Sequence, residues 1–471
     1  MNPILEALER GAAATPARTV LIGDRGSLTW AELAGLVAAW RERLLALRPG
    51  PIALALDNGP AWVVLDLSAL AAGIPCIPLP LFFSPQQRRH VLDRVGVVVE
   101  AASEAAGPVL SLAGTRICLR RRAAGAGAPK VAKITFTSGT TGAPKGVCLE
   151  AAVMAQVARS LIEVIEVTPA DRHLAVLPLT TLLENVAGVY APLLAGACTV
   201  VPSLGSVGLS GSSEFDVIAM VRAMRAWRPT TAILLPAMLK ALVEAGSSGV
   251  AFPDSLRFLA VGGAPVAKCL LQRAAAAGLP VFQGYGLSEC ASVVAVNGPR
   301  GNRPGSVGRP LPHVGVAIAG DGEILVTGSR CRGYLGEAPL PASEPLATGD
   351  LGRLDESGYL YVEGRKRDVF ITGFGRNVCP AWVESELSAE PAICQAAVFG
   401  EGAERNTAVV VAAGDAAAVP AAVAAANGRL PDYARIGRWL AAGAPFTPAN
   451  GLVGSGGGLR RKAIGLAYGI E

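Results

Sequence analysis

Residues Lys133 to Leu149 read KITFTSGTTGAPKGVCL. An apolar strand runs straight into Thr137-Ser138-Gly139-Thr140-Thr141-Gly142-Ala143-Pro144-Lys145-Gly146. Glycines let a backbone wrap closely around an anion, hydroxyls and exposed N–H groups donate to phosphate oxygens, and a lysine adds a point charge. The string is not a Walker A loop, because Pro144 precedes Lys145 and neither Ser nor Thr follows it. It predicts a phosphate-binding loop hung on a sheet.

On the amino-terminal side, helical and strand patterns alternate. Leu28 to Arg48 has apolar residues at helical spacing, PIALALDNG reads as a strand ending in a turn, and Trp62 to Ala72 is helical again. IPCIPLPL reads as a strand broken by prolines, and Ser84-Pro85 as the cap and first residue of a helix. Strands interleaved with helices predict an α/β architecture with largely parallel sheets. Ala123 to Ala128 reads as a loop, and Ala412 to Gly428 as a loop with a weak helix. GRKRD, Gly364 to Asp368, lies between the strands YLYVEG and VFITG and predicts a domain boundary.

Composition narrows the class. The chain has 471 residues, 51% hydrophobic and 17% charged, which excludes a disordered or coiled-coil protein. Lys+Arg 42 against Asp+Glu 37 leaves +5, a mild excess with no basic tract to favour nucleic acid. The nine cysteines are dispersed without a C-x-x-C pair, so neither a disulfide framework nor a structural zinc site is expected. The amino terminus carries Glu6, Glu9 and Arg10 where a signal peptide needs an apolar run, and Asp66 and three prolines interrupt the most apolar stretch. A cytoplasmic protein without a membrane span is expected.

More motifs follow in order: LRFLAVGGAPV (Leu256 to Val266), FQGYGLSE (Phe282 to Glu289), RPGSVGRPLP, GEILVTG, RGYLG, ATGDLG (Ala347 to Gly352) and GYLYVEGRKRDVFITGFGRNVCPAWVE. With the loop at Thr137, this collinear set resembles the adenylate-forming superfamily of acyl-CoA ligases, peptide-synthetase adenylation domains and luciferase. It is most similar to bacterial long-chain acyl-CoA synthetase-like ligases, in GRNVxPxWVE and LPLTTLLENVAGVYAPLLAGA. GYGLSE lacks the third glycine of a dinucleotide fingerprint, so a dehydrogenase reading fails.

The resemblance implies a large amino-terminal domain, residues 1–364, of two α/β subdomains and a small barrel-like sheet. A small mobile α+β domain, 365–471, would rotate about a hinge at Arg367. It implies ATP and Mg²⁺, with coenzyme A as co-substrate. The ATP site would comprise Thr137, Ser138, Gly139, Thr140, Thr141, Gly142 and Lys145, then Gly263, Ala264 and Pro265, then Gln283, Gly284, Tyr285, Gly286 and Ser288, with Asp350 and Arg365. Glu289 and Thr137 would hold the metal, Lys145, Glu289 and Arg365 would serve catalysis, and Thr180, Thr181, Leu183 and Gly263 would shape the acyl pocket. Physical roles agree with this: Mg²⁺ takes only one or two protein oxygens beside phosphates, and Asp350 can accept both ribose hydroxyls. Cys290 has no basic partner nearby in sequence and reads as packing.

Two departures stand out. Thr181, preceded by Thr180, replaces the histidine or aromatic residue that relatives carry after Leu-Pro-Leu. Gly458 falls where the family carries the lysine that bridges carboxylate and α-phosphate, with Arg460, Arg461 and Lys462 as neighbouring cations. The expected reaction is activation of a small carboxylic acid to an acyl-adenylate, then transfer to coenzyme A. An amine or other small nucleophile as acceptor is the alternative, as is a binding protein of little activity. No His or Arg in the pocket stretches points to a second charged group on the acid, so an apolar tail is expected.

Overall fold

The structure, a computed structural model, describes residues 2–47, 50–102, 109–122, 130–137, 144–211, 214–341, 343–454 and 458–470. Two large sheets form the body. In the first, six parallel strands run in the order Val281–Tyr285, Phe258–Val261, Thr231–Leu234, Arg172–Leu174, Cys198–Val200 and Thr19–Gly23, with antiparallel strands at both edges. In the second, Lys133–Thr137, Cys76–Pro78, Ile52–Ala55 and Val97–Ala101 are parallel neighbours, flanked by antiparallel strands including Lys145–Leu149. The α/β expectation is met, and a four-stranded antiparallel sheet over residues 315–365 follows the body.

Local sequence explains the elements between the sheets. Helix Pro60–Ala72, PAWVVLDLSALAA, is buried on every side from Pro60 to Ala69, as a helix apolar all round must be. Its one charge, Asp66, is therefore compelled to find a partner inside. Ser84 caps helix Pro85–Leu92 in a full capping box with Gln87. Proline restricts the expected strand IPCIPLPL to Cys76–Pro78, since each proline removes a donor from the ladder. The loop expected at Ala123 to Ala128 lies outside the described residues.

The last hundred residues carry a three-stranded sheet, Ile393–Phe399, Asn406–Ala412 and Ile436–Ala441. Two clusters of buried side chains, centred on Val383, Ile393 and Val410 and on Ala397, Phe446 and Ile464, draw only on residues after 369. The weak helix expected near Ala412 to Gly428 is Val419–Arg429, which buries Val419, Ala422, Val423 and Ala426.

Candidate functional site

Strands Lys133–Thr137 and Lys145–Leu149, on either side of the expected phosphate loop, pair so that Thr137 faces Lys145. Ser138, Gly139, Thr140, Thr141 and Gly142 lie outside the described residues. Among the described residues the Thr137 hydroxyl reaches the Lys145 carbonyl, at 3.5 Å. Lys145 Nζ stands 4.9 Å from the ring centre of Tyr334 and 3.6 Å from Glu337 Oε1, with its side chain half exposed. Tyr334 arrives on a strand antiparallel to Lys145–Leu149, and its hydroxyl donates to Glu289 Oε1 at 3.1 Å. Burial, with the adjoining Glu289 carboxylate, pushes the Tyr334 phenol up, so it remains a donor. Cation, ring and carboxylate thus stand in line. Sequence reading noted RGYLG but not this tyrosine's role, because only strand pairing brings it to Glu289.

A second group joins the end of strand Val281–Tyr285 in the first large sheet to strands Leu346–Leu354 and Leu360–Arg365 of the four-stranded sheet. Tyr285 donates from its hydroxyl to Asp350 Oδ2 at 2.6 Å, and Arg365 Nε lies 2.9 Å from Asp350 Oδ1. Arg365 also donates to the Thr348 carbonyl. Asp350 is 4% exposed, and burial pushes its carboxyl up while Tyr285 and Arg365 pull it back. Gln283, beside them on the strand, is buried with no partner for Oε1. An orphaned amide oxygen facing no protein donor suits a ligand that supplies one. Gly286 admits no side chain, since a Cβ would fall 1.7 Å from the Ser292 carbonyl oxygen. Gly263, Ala264 and Pro265 are exposed after strand Phe258–Val261, Gly284 and Ser288 are partly buried, and Cys290 is fully buried as expected of packing.

A cavity of about 270 Å³ opens beside Gly262, Gly263, Tyr285 and Gly286. Thr181, Leu182 and Leu183 line it, but Thr180, expected there, does not; it is buried to one side of it. On the turn that follows, Val186 sits in the main core and Gly188 lies close against Glu184 and His173. A more important correction concerns polarity. His173 lines the cavity, against the expectation of a pocket without His or Arg, and Asp171 lines it too. The stretch DRHLAVLPL looks unremarkable, and only the place of its strand Arg172–Leu174 beside Thr231–Leu234 sets His173 against Thr231.

Near the carboxyl terminus, Arg367 is exposed and 3.6 Å from Asp368. The three cations after Gly458 differ. Arg461 is committed to Glu384, with Nε 3.1 Å from Oε1, and Glu384 is almost fully buried. Arg460 donates to the Gly451 carbonyl. Lys462 is exposed, and among the described residues nothing engages it. Gly458 is exposed, and no atom of the described residues beyond its chain neighbours stands within 4 Å of where a Cβ would be; 455–457 of the glycine run lie outside the described residues.

The family model for AMP-binding enzymes matches residues 8–335. The chain is 34% identical to the indoleacetate–CoA ligase of Aromatoleum aromaticum over 299 residues, 59% of this chain and 56% of that one. It superposes on the o-succinylbenzoate CoA synthetase of Bacillus subtilis, solved with its acyl-adenylate intermediate, at TM-score 0.79 and 25% identity, covering 98% and 97% of the two chains. An amide bond synthetase from Marinactinospora thermotolerans gives TM-score 0.76 and 25% identity, covering 99% of this chain and 100% of that one.

Proposed function

The chain belongs to the AMP-binding enzyme family, and from that premise we infer that it is an ATP-dependent ligase that activates a small carboxylic acid as its acyl-adenylate and passes the acyl group to coenzyme A. The observation that carries this reading is the cavity beginning at Gly263 and Tyr285, immediately beside the Tyr285–Asp350–Arg365 group. An acid seated there presents its carboxylate to a nucleotide held by the same residues.

The roles follow from the geometry. Asp350, ionised and anchored by Arg365, accepts the two ribose hydroxyls. Gln283 uses its unpaired amide oxygen on the adenine amino group, and Tyr285 supplies a flat wall. Lys145, half exposed and held, among the described residues, by a ring face and a carboxylate at 3.6 Å, can follow negative charge moving onto pyrophosphate as it leaves. The Glu289 carboxylate has Tyr334 on one oxygen and, among the described residues, no cation; with Thr137 it offers the sparse hard-oxygen set that suits Mg²⁺. Bound there with ATP, Mg²⁺ would neutralise triphosphate charge.

The segment after Arg365 then turns about Arg367 as a separate small domain to admit the thiol, and adenylation supplies AMP as its leaving group. A cytoplasmic location fits nine cysteines that are all unpaired. Among the described residues no helix is long and apolar enough to cross a membrane.

Pyrophosphate release from Mg·ATP with a panel of aryl and alkyl acids tests the first step. Absence of release with every acid, while ATP still binds, would leave the alternative motivated by Gly458, a binding protein. AMP formation dependent on coenzyme A tests the second. The amide bond synthetase neighbour favours an amine as the competing acceptor, and AMP formation driven by amines but not by coenzyme A would select it.

A further inference from the structure

The acyl cavity has a polar floor. Its mouth, at Gly262 and Gly263, follows the carboxyl end of strand Phe258–Val261, and its other end reaches Phe258, Thr231 and His173. Thr231 and Phe258 are register partners, as are His173 and Thr231, so these residues share the amino-terminal edge of parallel strands. Four residues of strand separate that edge from the mouth, about 13 Å. The depth and volume suit an aryl acid or a medium-length chain, near the small end of ligand pockets.

The floor is deliberately built. A wide π-helical turn, Glu184–Tyr190, carries Glu184 fully inside, and such turns often mark functional places in helices. Gly188 has room for no side chain, since a Cβ would meet Glu184 Oε1 at 2.2 Å and His173 Nε2 at 2.6 Å. Glu184 Oε2 accepts from the Leu177 N–H at 2.9 Å, and Oε1 lies 2.7 Å from His173 Nε2. His173 Nδ1 lies 2.9 Å from Thr231 Oγ1. Asp171, also lining the cavity, is saturated: Arg257 contacts both its oxygens at 2.7 Å, with Thr168 and Thr230 adding further bonds.

These contacts set a direction. A carboxylate only accepts, so His173 Nε2 carries the proton given to Glu184. In the neutral imidazole, Nδ1 is then bare and accepts the Thr231 hydroxyl proton. In that tautomer Thr231, a lining residue of the cavity, has only lone pairs on Oγ1 to offer a further partner. We propose that Thr231, oriented by the Glu184–His173 pair, selects acids whose far end carries a hydrogen-bond donor, a hydroxyl or an amine N–H. This rests on the acid-activating reading above.

The test uses matched acids of graded length: ω-hydroxyalkanoates and 4-hydroxyaryl alkanoates against their methyl and methoxy counterparts. Both calorimetric binding in the presence of Mg·ATP and pyrophosphate release are measured. The hydroxy member of the best-fitting pair should exceed its methyl counterpart about tenfold in affinity and in kcat/KM. Thr231→Val should abolish that preference, and Thr231→Ser should keep it. Equal use of hydroxy and methyl acids, preference for the methoxy acid, or a hydroxyl preference that survives Thr231→Val would each overturn the proposal. A hydroxyl preference in binding with no pyrophosphate release would refute the ligase reading and leave this one standing.

Discussion

Two lysines on one hairpin have opposite fates. Lys133 opens the strand that leads into the phosphate loop, and Lys145 opens the strand that leads out. Lys133 is 1% exposed, with Nζ 2.8 Å from Asp66 Oδ1 and 3.0 Å from the Tyr190 hydroxyl, and with Asn185 as a further partner. Tyr190 and Asn185 in turn donate to Asp66. Every charge in that knot is spent on another, and Trp62 and Tyr190 present ring faces to the ammonium. Among the described residues Lys145 has a half-exposed partner at 3.6 Å and a ring face. A buried, saturated cation holds two elements together; an exposed, weakly held one can follow a substrate's charge.

The largest expected effect breaks the buried side. Lys133→Met should destabilise the protein by about 3–5 kcal/mol, because Asp66 is left charged and uncompensated. Urea unfolding checks this, and adding Asp66→Leu should recover part of the loss. Lys145→Met should do the reverse, lowering pyrophosphate release about 10²–10³-fold. Its unfolding midpoint should hardly move, as exposed pairs contribute about 0–1 kcal/mol. If both variants behave alike, the contrast is wrong.

Next come Glu289→Gln and Asp350→Ala, each expected to weaken Mg·ATP binding or turnover by the roughly 1.5–3 kcal/mol of a charge-assisted hydrogen bond. Titration calorimetry showing parental affinity and unaltered turnover for both would reject the assignments. Gly458→Lys carries the contrast to a third cation. With open space around position 458, the new lysine should raise pyrophosphate release about tenfold or more and leave the thioester half-reaction little changed. Lys462→Ala should slow the parent enzyme, since Lys462 is the unengaged cation of its group, whereas Arg461→Ala should cost stability through Glu384. No gain at 458 and no loss at 462 would remove both from the chemistry.

The smallest effect concerns pH. Burial pushes the Asp350 carboxyl above the ordinary aspartate value. ATP binding, which needs the ionised form, should therefore weaken on acidification at a higher pH than an exposed aspartate dictates, by less than about tenfold over the first unit. The sign for folding is opposite: a raised folded value favours the protonated native state, so this group adds stability as pH falls through it. Calorimetry between pH 4 and 7 separates the two.

Much of this was legible in the residues. The capping box at Ser84, the interleaved strands and helices and the family motifs are local, written in neighbouring side chains and turn chemistry. The role of Tyr334 is not local, and the chain at the cavity floor, Glu184 to His173 to Thr231, joins residues as far as 58 positions apart. No period in the sequence links them. Thr180 and Thr181 were both expected in the pocket, yet adjacent residues on a turn point differently, and only Thr181 lines it.

The sequence by itself determined the fold class, the order of the motifs and the residue types from which a nucleotide site could be made. Those depend on spacing and on backbone freedom, which a chain carries before it folds. Tertiary structure alone decided which lysine is buried, which threonine lines the cavity, and which of the three cations after Gly458 has no partner among the described residues. Those outcomes depend on strand register and on what lies opposite, because a charge or hydroxyl acquires its role from the partners that burial leaves it.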